Sequence, residues 1–228
     1  VEGYDAVNKW TLLLTHAYGI IEKPDSILFH GIQNIHESDA KVGITKDQQI
    51  KLVAEAKKLK NGKIAAFVLP QFVPASDHLA FVRYEFNGMV IESSFADKQF
   101  FYGKGAGSLP TASAVLSDIA ALRYGYKYEY KKLYQHQPQE LSNDFFLRAH
   151  ISFTHWKHIP RQEFEWIEEW HVNEKRKYLV GVIAFQELKN NSWWKENGTS
   201  LILTPDAIIE ETATRRLKKR SLELAGVA

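Results

Sequence analysis

Asp5 and Lys9 stand four residues apart, so a helix through them brings a carboxylate and an ammonium group onto one face. On the residues alone the pair has two readings. It is a surface ion pair worth about 0.3–0.5 kcal/mol, or a pair with a chemical role that the spacing does not specify. His16 lies near the same face and reads as an ordinary polar histidine. A second feature is Gly103-Lys104-Gly105-Ala106-Gly107-Ser108-Leu109-Pro110. Its glycines would let a ligand approach the backbone closely at a helix N-terminus, where free N–H groups attract anions. They suit equally a strand-to-helix turn that needs positive φ. A dinucleotide fingerprint would need glycine at position 108, a βαβ unit and an acidic residue about 20 positions on. The chain has Ser108 there, and Asp118 lies too near. His155 and His158 lack a third ligand for a metal, and none is expected. Arg215, Arg216, Lys218, Lys219 and Arg220 read as a solvated helix end.

The 228-residue chain is 45% hydrophobic and 25% charged, which is ordinary globular usage. Its 29 basic and 27 acidic residues give a net charge of +2. That balance supplies no field for nucleic acid or an anionic membrane, and neither is expected as a partner. No cysteine is present, which excludes disulfides, thiolate metal sites and a cysteine nucleophile. No apolar run approaches the ~18 residues of a membrane span. The chain opens on Val1 without methionine or a signal-peptide pattern, which reads as a piece of a longer, cytoplasmic protein.

The elements that must position these residues follow from periodicity. Ala6, Trp10, Leu13, Leu14 and Ala17 form a helical stripe over residues 5–18, with Gly19 as its stop. Residues 38–46 are a weaker helical candidate. Strands are expected at 50–56 and 63–69, joined by the hairpin signal Asn61-Gly62, the second ending at Pro70. Residues 78–82 could make one helical turn. Asn87-Gly88 reads as another hairpin turn, with strands at 89–95 and 99–102 around Asp97-Lys98. Pro110 suits a helix start, and Ala112, Val115, Leu116, Ile119 and Leu122 give residues 111–124 an apolar stripe. Residues 126–142 lack either period and read as a linker. Beyond them Phe145, Leu147, Ala149, Ile151 and Phe153 alternate as the buried face of a strand. Residues 160–170 read as a helix with Phe164, Ile167 and Trp170 inward, 178–185 as a central strand, and 200–203 as a final short strand.

Two stretches resemble a known family. Val1-Glu2-Gly3-Tyr4-Asp5-Ala6-Val7-Asn8-Lys9 is similar to the opening helix of the catalytic region of homoserine dehydrogenases. So is the longer run Phe100-Phe101-Tyr102-Gly103-Lys104-Gly105-Ala106-Gly107-Ser108-Leu109-Pro110-Thr111-Ala112-Ser113-Ala114-Val115-Leu116-Ser117-Asp118-Ile119. Gly31-Ile32, Ile50-Lys51-Leu52 and Phe86-Asn87 fall between them in the family's order, and the resemblance covers residues 1–125.

The resemblance implies an α+β fold, a mixed β-sheet covered by helices, for a catalytic and dimerisation domain over residues 1–140. Residues 141–228 would form a second, ACT-like βαββαβ unit with a basic tail. That unit lacks the Asp-x-x-Gly turn where effectors bind, which argues against regulation by an amino acid. The resemblance also implies an enzyme that reduces L-aspartate 4-semialdehyde to L-homoserine with NADP or NAD, in threonine and methionine biosynthesis, and that works as a homodimer. Lys9 matches the family's catalytic lysine, Asp5 its substrate-orienting aspartate, and Gly107 a glycine whose backbone lies against the nicotinamide. Most of the cofactor's contacts would come from a nucleotide-binding domain preceding Val1. The helix after Gly107 would pack on that domain, so here its apolar stripe would be bare or used by a neighbour. A non-catalytic dimerisation or regulatory module is the other reading.

Overall fold

The computed structural model describes residues 1–127, 129, 139–155, 159–172 and 177–210. The basic run 215–220, His158 and most of the expected linker lie outside them. In chain order the elements are α1 (Tyr4–Tyr18), β1 (Leu28–Phe29), α2 (Glu37–Thr45), β2 (Gln48–Lys58), β3 (Ile64–Pro74), β4 (Phe86–Ser93) and β5 (Asp97–Lys104). They continue with α3 (Ser108–Arg123), β6 (Phe146–Phe153), β7 (Phe164–Val172), β8 (Lys177–Ala184), α4 (Phe185–Asn190) and β9 (Thr199–Ile209).

Seven strands form one mixed sheet in the order β1-β3-β9-β6-β8-β7, with β2 antiparallel along the other side of β3. β1 and β9 run parallel to β3, and the remaining pairs are antiparallel. β4 and β5 make a separate two-stranded hairpin. β3 is buried on both faces, because its side chains alternate between two cores. Ile64, Ala66 and Val68 join Val7 and Leu14 of α1, while Ala65, Phe67 and Leu69 join Leu147, Ile151, Leu179, Phe185 and Trp194. α1 and α2 thus cover one face. The short helix α4 and the turn Trp193–Lys195 cover the other.

Much of the expected pattern forms. Residues 5–18 lie within α1, and Gly19 ends it with φ 73°. Asn61-Gly62 makes the turn between β2 and β3, with Gly62 at φ 84°. The final strand, expected over 200–203, runs over Thr199–Ile209, and three further expectations are corrected. The strand through 63–69 does not stop at Pro70 but runs to Pro74. The Val68 carbonyl accepts from the His30 N–H on the β1 side. Two residues on, the Pro70 nitrogen faces that same side, where β3 changes neighbour from β1 to β9, so the missing donor costs no bond to β2. Asn87-Gly88 lies inside β4, and the turn is at 94–96 with Asp97 at φ 52°. Gly88 is small for packing: a Cβ there would come within 2.5 Å of Val82 Cγ2.

The third correction concerns the C-terminal half. Residues 164–172 are strand β7, not a helix. Its pairing with β8 slips between Phe164 and Trp166 and again between Ile167 and Glu169. Each irregularity adds one residue, so Phe164, Ile167 and Trp170 oppose Ile183, Gly181 and Leu179, all on one face of β8. A bulged strand has here imitated a helical period. The order after residue 144 is therefore strand, strand, strand, short helix, strand, and the ACT-like βαββαβ order does not form among the described residues. The sheet and its larger core draw on both sides of residue 140.

β6 also has a second buried face, which the alternation did not anticipate. His150 and Ser152 are as buried as the odd-numbered residues. They lie under Asp39 of α2, whose carboxylate accepts from Ser152 Oγ and Ser200 Oγ, each at 2.6 Å, and from the His36 N–H at 3.0 Å. His150 Nε2 stands 3.6 Å from the same carboxylate. Burial on its own would raise the carboxyl's pKa, but the hydrogen bonds outweigh it and hold Asp39 down at about 2 against an ordinary 3.8. A depressed carboxylate stabilises the fold above its unfolded pKa and loses that contribution as pH falls through its folded value. The contribution at neutral pH is about 2 kcal/mol. We expect denaturation midpoints to fall between about pH 4 and about pH 2, and Asp39→Asn to flatten that limb while costing about 1–3 kcal/mol at pH 7. A parent and variant with parallel acid limbs would exclude this role for Asp39.

Candidate functional site

α1 starts at a glycine. Gly3, its N-cap, has φ 96° and ψ −2°, a left-handed conformation that side chains rarely tolerate. The Val7 N–H donates to the Gly3 carbonyl at 2.9 Å, closing the first helical turn. Val7, Leu14 and Thr15 turn toward the sheet. At the far end Thr15 Oγ1 donates to the Ile20 carbonyl at 2.8 Å, and Gly19 N–H to the Thr15 carbonyl, so the last turn is tied to the chain that leaves it. The helix is held by its buried side and its two ends, leaving the opposite face free.

Asp5 and Lys9 occupy that free face. Lys9 Nζ donates to Asp5 Oδ2 at 2.8 Å, and the two side chains are 53% and 83% exposed. A carboxylate in the first turn suits the helix dipole. An ion pair this open to water is held weakly, so an incoming polar group can replace either partner at little cost. A cleft lined by Val1, Glu2, Gly3, Tyr4, Asp5, Ala6 and Leu52 adjoins the carboxylate, with a volume of about 400 Å³. The spacing of Asp5 and Lys9 was legible from the sequence. Gly3 was not singled out, though a glycine two positions before a helical carboxylate was there to be read.

Gly107 is the third expected residue. It caps α3 with φ 112° and ψ 155°, a region open essentially only to glycine. Thr111 Oγ1 and the Thr111 N–H both donate to its carbonyl, at 2.8 and 3.1 Å. A Cβ at Gly107 would meet only Pro110, at 3.5 Å, and one at Gly103 would meet nothing within 4 Å. The backbone there is open to a flat ligand from outside. Among the described residues no hydrogen bond or ion pair joins Gly107 to Asp5 or Lys9. α3 itself has no buried residue, and Leu109, Leu116, Ile119 and Leu122 are exposed. Among the described residues the loop between β5 and α3 leaves the Gly107 and Gly103 backbone uncovered on the side a Cβ would occupy. Among the described residues no group of three potential metal ligands forms.

The described residues thus present a mixed sheet with two helices on one face, a lysine–aspartate pair at a helix start and a glycine loop leading into α3. The family model described as homoserine dehydrogenase matches residues 1–120. The chain belongs to the homoserine dehydrogenase family. It is similar to the homoserine dehydrogenase of Corynebacterium glutamicum, 40% identical over 123 residues, covering 52% of this chain and 28% of that protein. It is also similar to that of Lactococcus lactis, 37% identical over 122 residues, covering 54% and 28%. Among solved structures, a homoserine dehydrogenase from Thiobacillus denitrificans superposes over 90% of this chain and 53% of its own, with a TM-score of 0.67 at 20% identity. One from S. aureus covers the same shares with a TM-score of 0.60 at 21% identity. These two likenesses concern the fold. The chain spans little more than a quarter of the length of the sequence relatives named.

Because the ion pair is exposed, Lys9→Ala should leave thermal and denaturant stability within about 0.5 kcal/mol of the parent. A larger loss in a denaturation series would mean that Lys9 is structural.

Proposed function

We propose that the protein carrying this chain is a cytoplasmic, NAD- or NADP-dependent homoserine dehydrogenase that interconverts L-aspartate 4-semialdehyde and L-homoserine in threonine and methionine biosynthesis. The observation that carries this reading is the Lys9–Asp5 pair, exposed at the start of α1 within the part of the chain that matches the family. When bound, the nicotinamide supplies or accepts the hydride at C4 of the substrate. In reduction, negative charge builds on the aldehyde oxygen as C4 gains that hydride. The Lys9 ammonium stabilises the charge and passes a proton to the oxygen, giving the hydroxyl of homoserine and a neutral amine. In oxidation the neutral amine takes the hydroxyl proton. Asp5 leaves its pairing with Lys9 to accept from the substrate's hydroxyl or ammonium group. The Gly107 backbone would lie against the nicotinamide when it is bound, where a side chain would occupy the space the ring needs.

In the full-length protein, Lys9→Ala should lower turnover by about 10²–10⁴, the ordinary worth of a positioned acid or base. Lys9→Arg keeps charge without a readily transferred proton, so it should bind substrate better than the alanine variant and remain slow. Asp5→Asn should raise the Michaelis constant for homoserine with a smaller loss of turnover. Steady-state kinetics in both directions decides this: a Lys9→Arg variant as fast as the parent would make Lys9 an electrostatic anchor only.

The homodimer is part of the same proposal, and β2 supports it. Among the described residues this strand of 11 residues pairs with β3 alone, in continuous register from Gln48 to Lys58 and without a proline. Its other side offers a row of backbone groups that a second copy could pair across a two-fold axis. Light scattering at micromolar concentration should return twice the mass of one chain, and a clean monomer would count against the assignment.

A further inference from the structure

A second glycine, Gly31, lies against the chain that leads into α1. The segment from β1 to Asn34 runs alongside Val1–Gly3. The Ile32 N–H donates to the Val1 carbonyl at 3.0 Å. A Cβ on Gly31 would overlap the Val1 carbonyl oxygen, and it would lie 2.5 Å from Glu2 C and 2.6 Å from Gln33 Oε1. The first of these neighbours is backbone and cannot rotate away. Gly31 has no positive φ to explain it, so the glycine is there for space. On the opposite side of the contact, Gly3 faces Gly31 N, His30 C and Phe29 Cδ2, each at 3.4 Å. The Tyr4 ring meets the Phe29 ring edge-on at 5.0 Å.

The segment that makes this contact is itself fixed. Leu28 and Phe29 pair with Phe67 and Val68 of β3, and the His30 N–H donates to the Val68 carbonyl at 2.9 Å. The His30 ring stands edge-on to Trp194 at 5.2 Å, and Asn34 Nδ2 donates to the Lys195 carbonyl at 3.0 Å. Trp194 is fully buried and donates from Nε1 to the Leu188 carbonyl at 3.0 Å. The reference surface against which α1 starts therefore belongs to both the sheet and the C-terminal half.

We propose that Gly31 is a positioning residue for the Asp5–Lys9 pair: its missing side chain lets the Val1–Gly3 backbone lie against residues 29–32, and that contact fixes where α1 starts and so where its first two turns hold the carboxylate and the ammonium. A methyl group at position 31 would push Val1–Glu2 away, and Asp5 and Lys9 would move with them. A displacement of about 1 Å in a reacting group costs about 10²-fold in rate. The inference rests on the roles given to Asp5 and Lys9 above.

The test uses the full-length protein and four variants. Gly31→Ala should lower kcat for homoserine by about 10²-fold while leaving the Michaelis constant for the cofactor near that of the parent, and amide hydrogen exchange in residues 5–9 should speed up. Phe29→Leu keeps the backbone contact and trims only the ring against Gly3 and Tyr4, so it should fold and show a smaller loss in the same direction. Gly43→Ala is the control. It also crowds its surroundings, with a Cβ 3.0 Å from the Gln48 carbonyl and 3.2 Å from Phe72, but on α2. It should lose stability and keep kcat within about threefold of the parent. Lys9→Ala separates the two claims. If Lys9→Ala is inactive while Gly31→Ala and Phe29→Leu match the parent in kcat and in exchange at residues 5–9, the positioning role is overturned alone. If Lys9→Ala is fully active, the reading of the site falls and this inference with it.

Discussion

Ile64, Ala66 and Val68 point at α1, and Ala65, Phe67 and Leu69 point at the core beneath α4. With β2 on one side, and the segment through Leu141 and then β1 on the other, the residues Ile64 to Leu69 of β3 are all buried. The rest of the structure depends on this constraint. A strand without a wet side has to be continuously apolar, and Ile64-Ala65-Ala66-Phe67-Val68-Leu69 is. It fixes α1 through Val68 and Ala66, and it fixes β1, and hence the segment that meets the start of α1, through His30 and Val68. The catalytic candidates lie on a helix whose height is set by the first relation and whose beginning is set by the second.

The polar counterpart of β3 is Asp39. A carboxylate that accepts from Ser152, Ser200 and the His36 N–H at the junction of α2, β6 and β9 does what an apolar contact cannot: it favours one register. Ser152 and Ser200 lie opposite each other in the β6–β9 ladder, their hydroxyls are 2.7 Å apart, and both donate to the same carboxylate. Slipping either strand by one residue would turn a hydroxyl to the other face and leave the charge short of a donor in a buried setting, where that is costly. Buried apolar area supplies most of the cohesion of this sheet, while Asp39 supplies alignment between α2 and the strands from the C-terminal half.

How much of this was legible follows from where the information sits. The expected stripe of α1 is rotated from its buried side, which is Val7, Leu14 and Thr15, with Leu13 and Ala17 exposed. Local signals read correctly: the span and glycine stop of α1, Asn61-Gly62, the odd-numbered face of β6, and the four-residue step from Asp5 to Lys9. Each depends on residues close in sequence. The failures depend on partners distant in sequence. Phe164, Ile167 and Trp170 carry a true three-residue period, but two irregularities against β8 produce it, and nothing within 164–172 distinguishes that from a helix. Gly88 was taken for a turn because Asn-Gly usually is one, yet it is small because of Val82. Gly31 gave no local signal, since the atoms that exclude a side chain there belong to Val1 and Glu2. Spacing placed Asp5 and Lys9 on one face, but could not say whether the pair was chemistry or surface ornament; the family likeness tilts that balance, and the exposed, weakly held geometry is compatible with it.

The two halves of the proposed chemistry are supported very differently. Asp5 and Lys9 ride on a helix with a buried side, a glycine cap at each end and contacts to the sheet. Gly107 opens a helix of 16 residues, none of them buried, with its leucines and Ile119 in water. An unpacked helix of that length is marginal in water even when rich in alanine, and an exposed apolar stripe of this kind marks a surface meant to be covered. The conformation of Gly107 is set locally, by its φ and by Thr111, but its direction is set by α3, and so it is only as well fixed as the cover on that stripe. Shape at the loop and position of the loop are therefore separate problems in this fold, the first solved by glycine and threonine within five residues, the second left to whatever packs against Leu109, Leu116, Ile119 and Leu122.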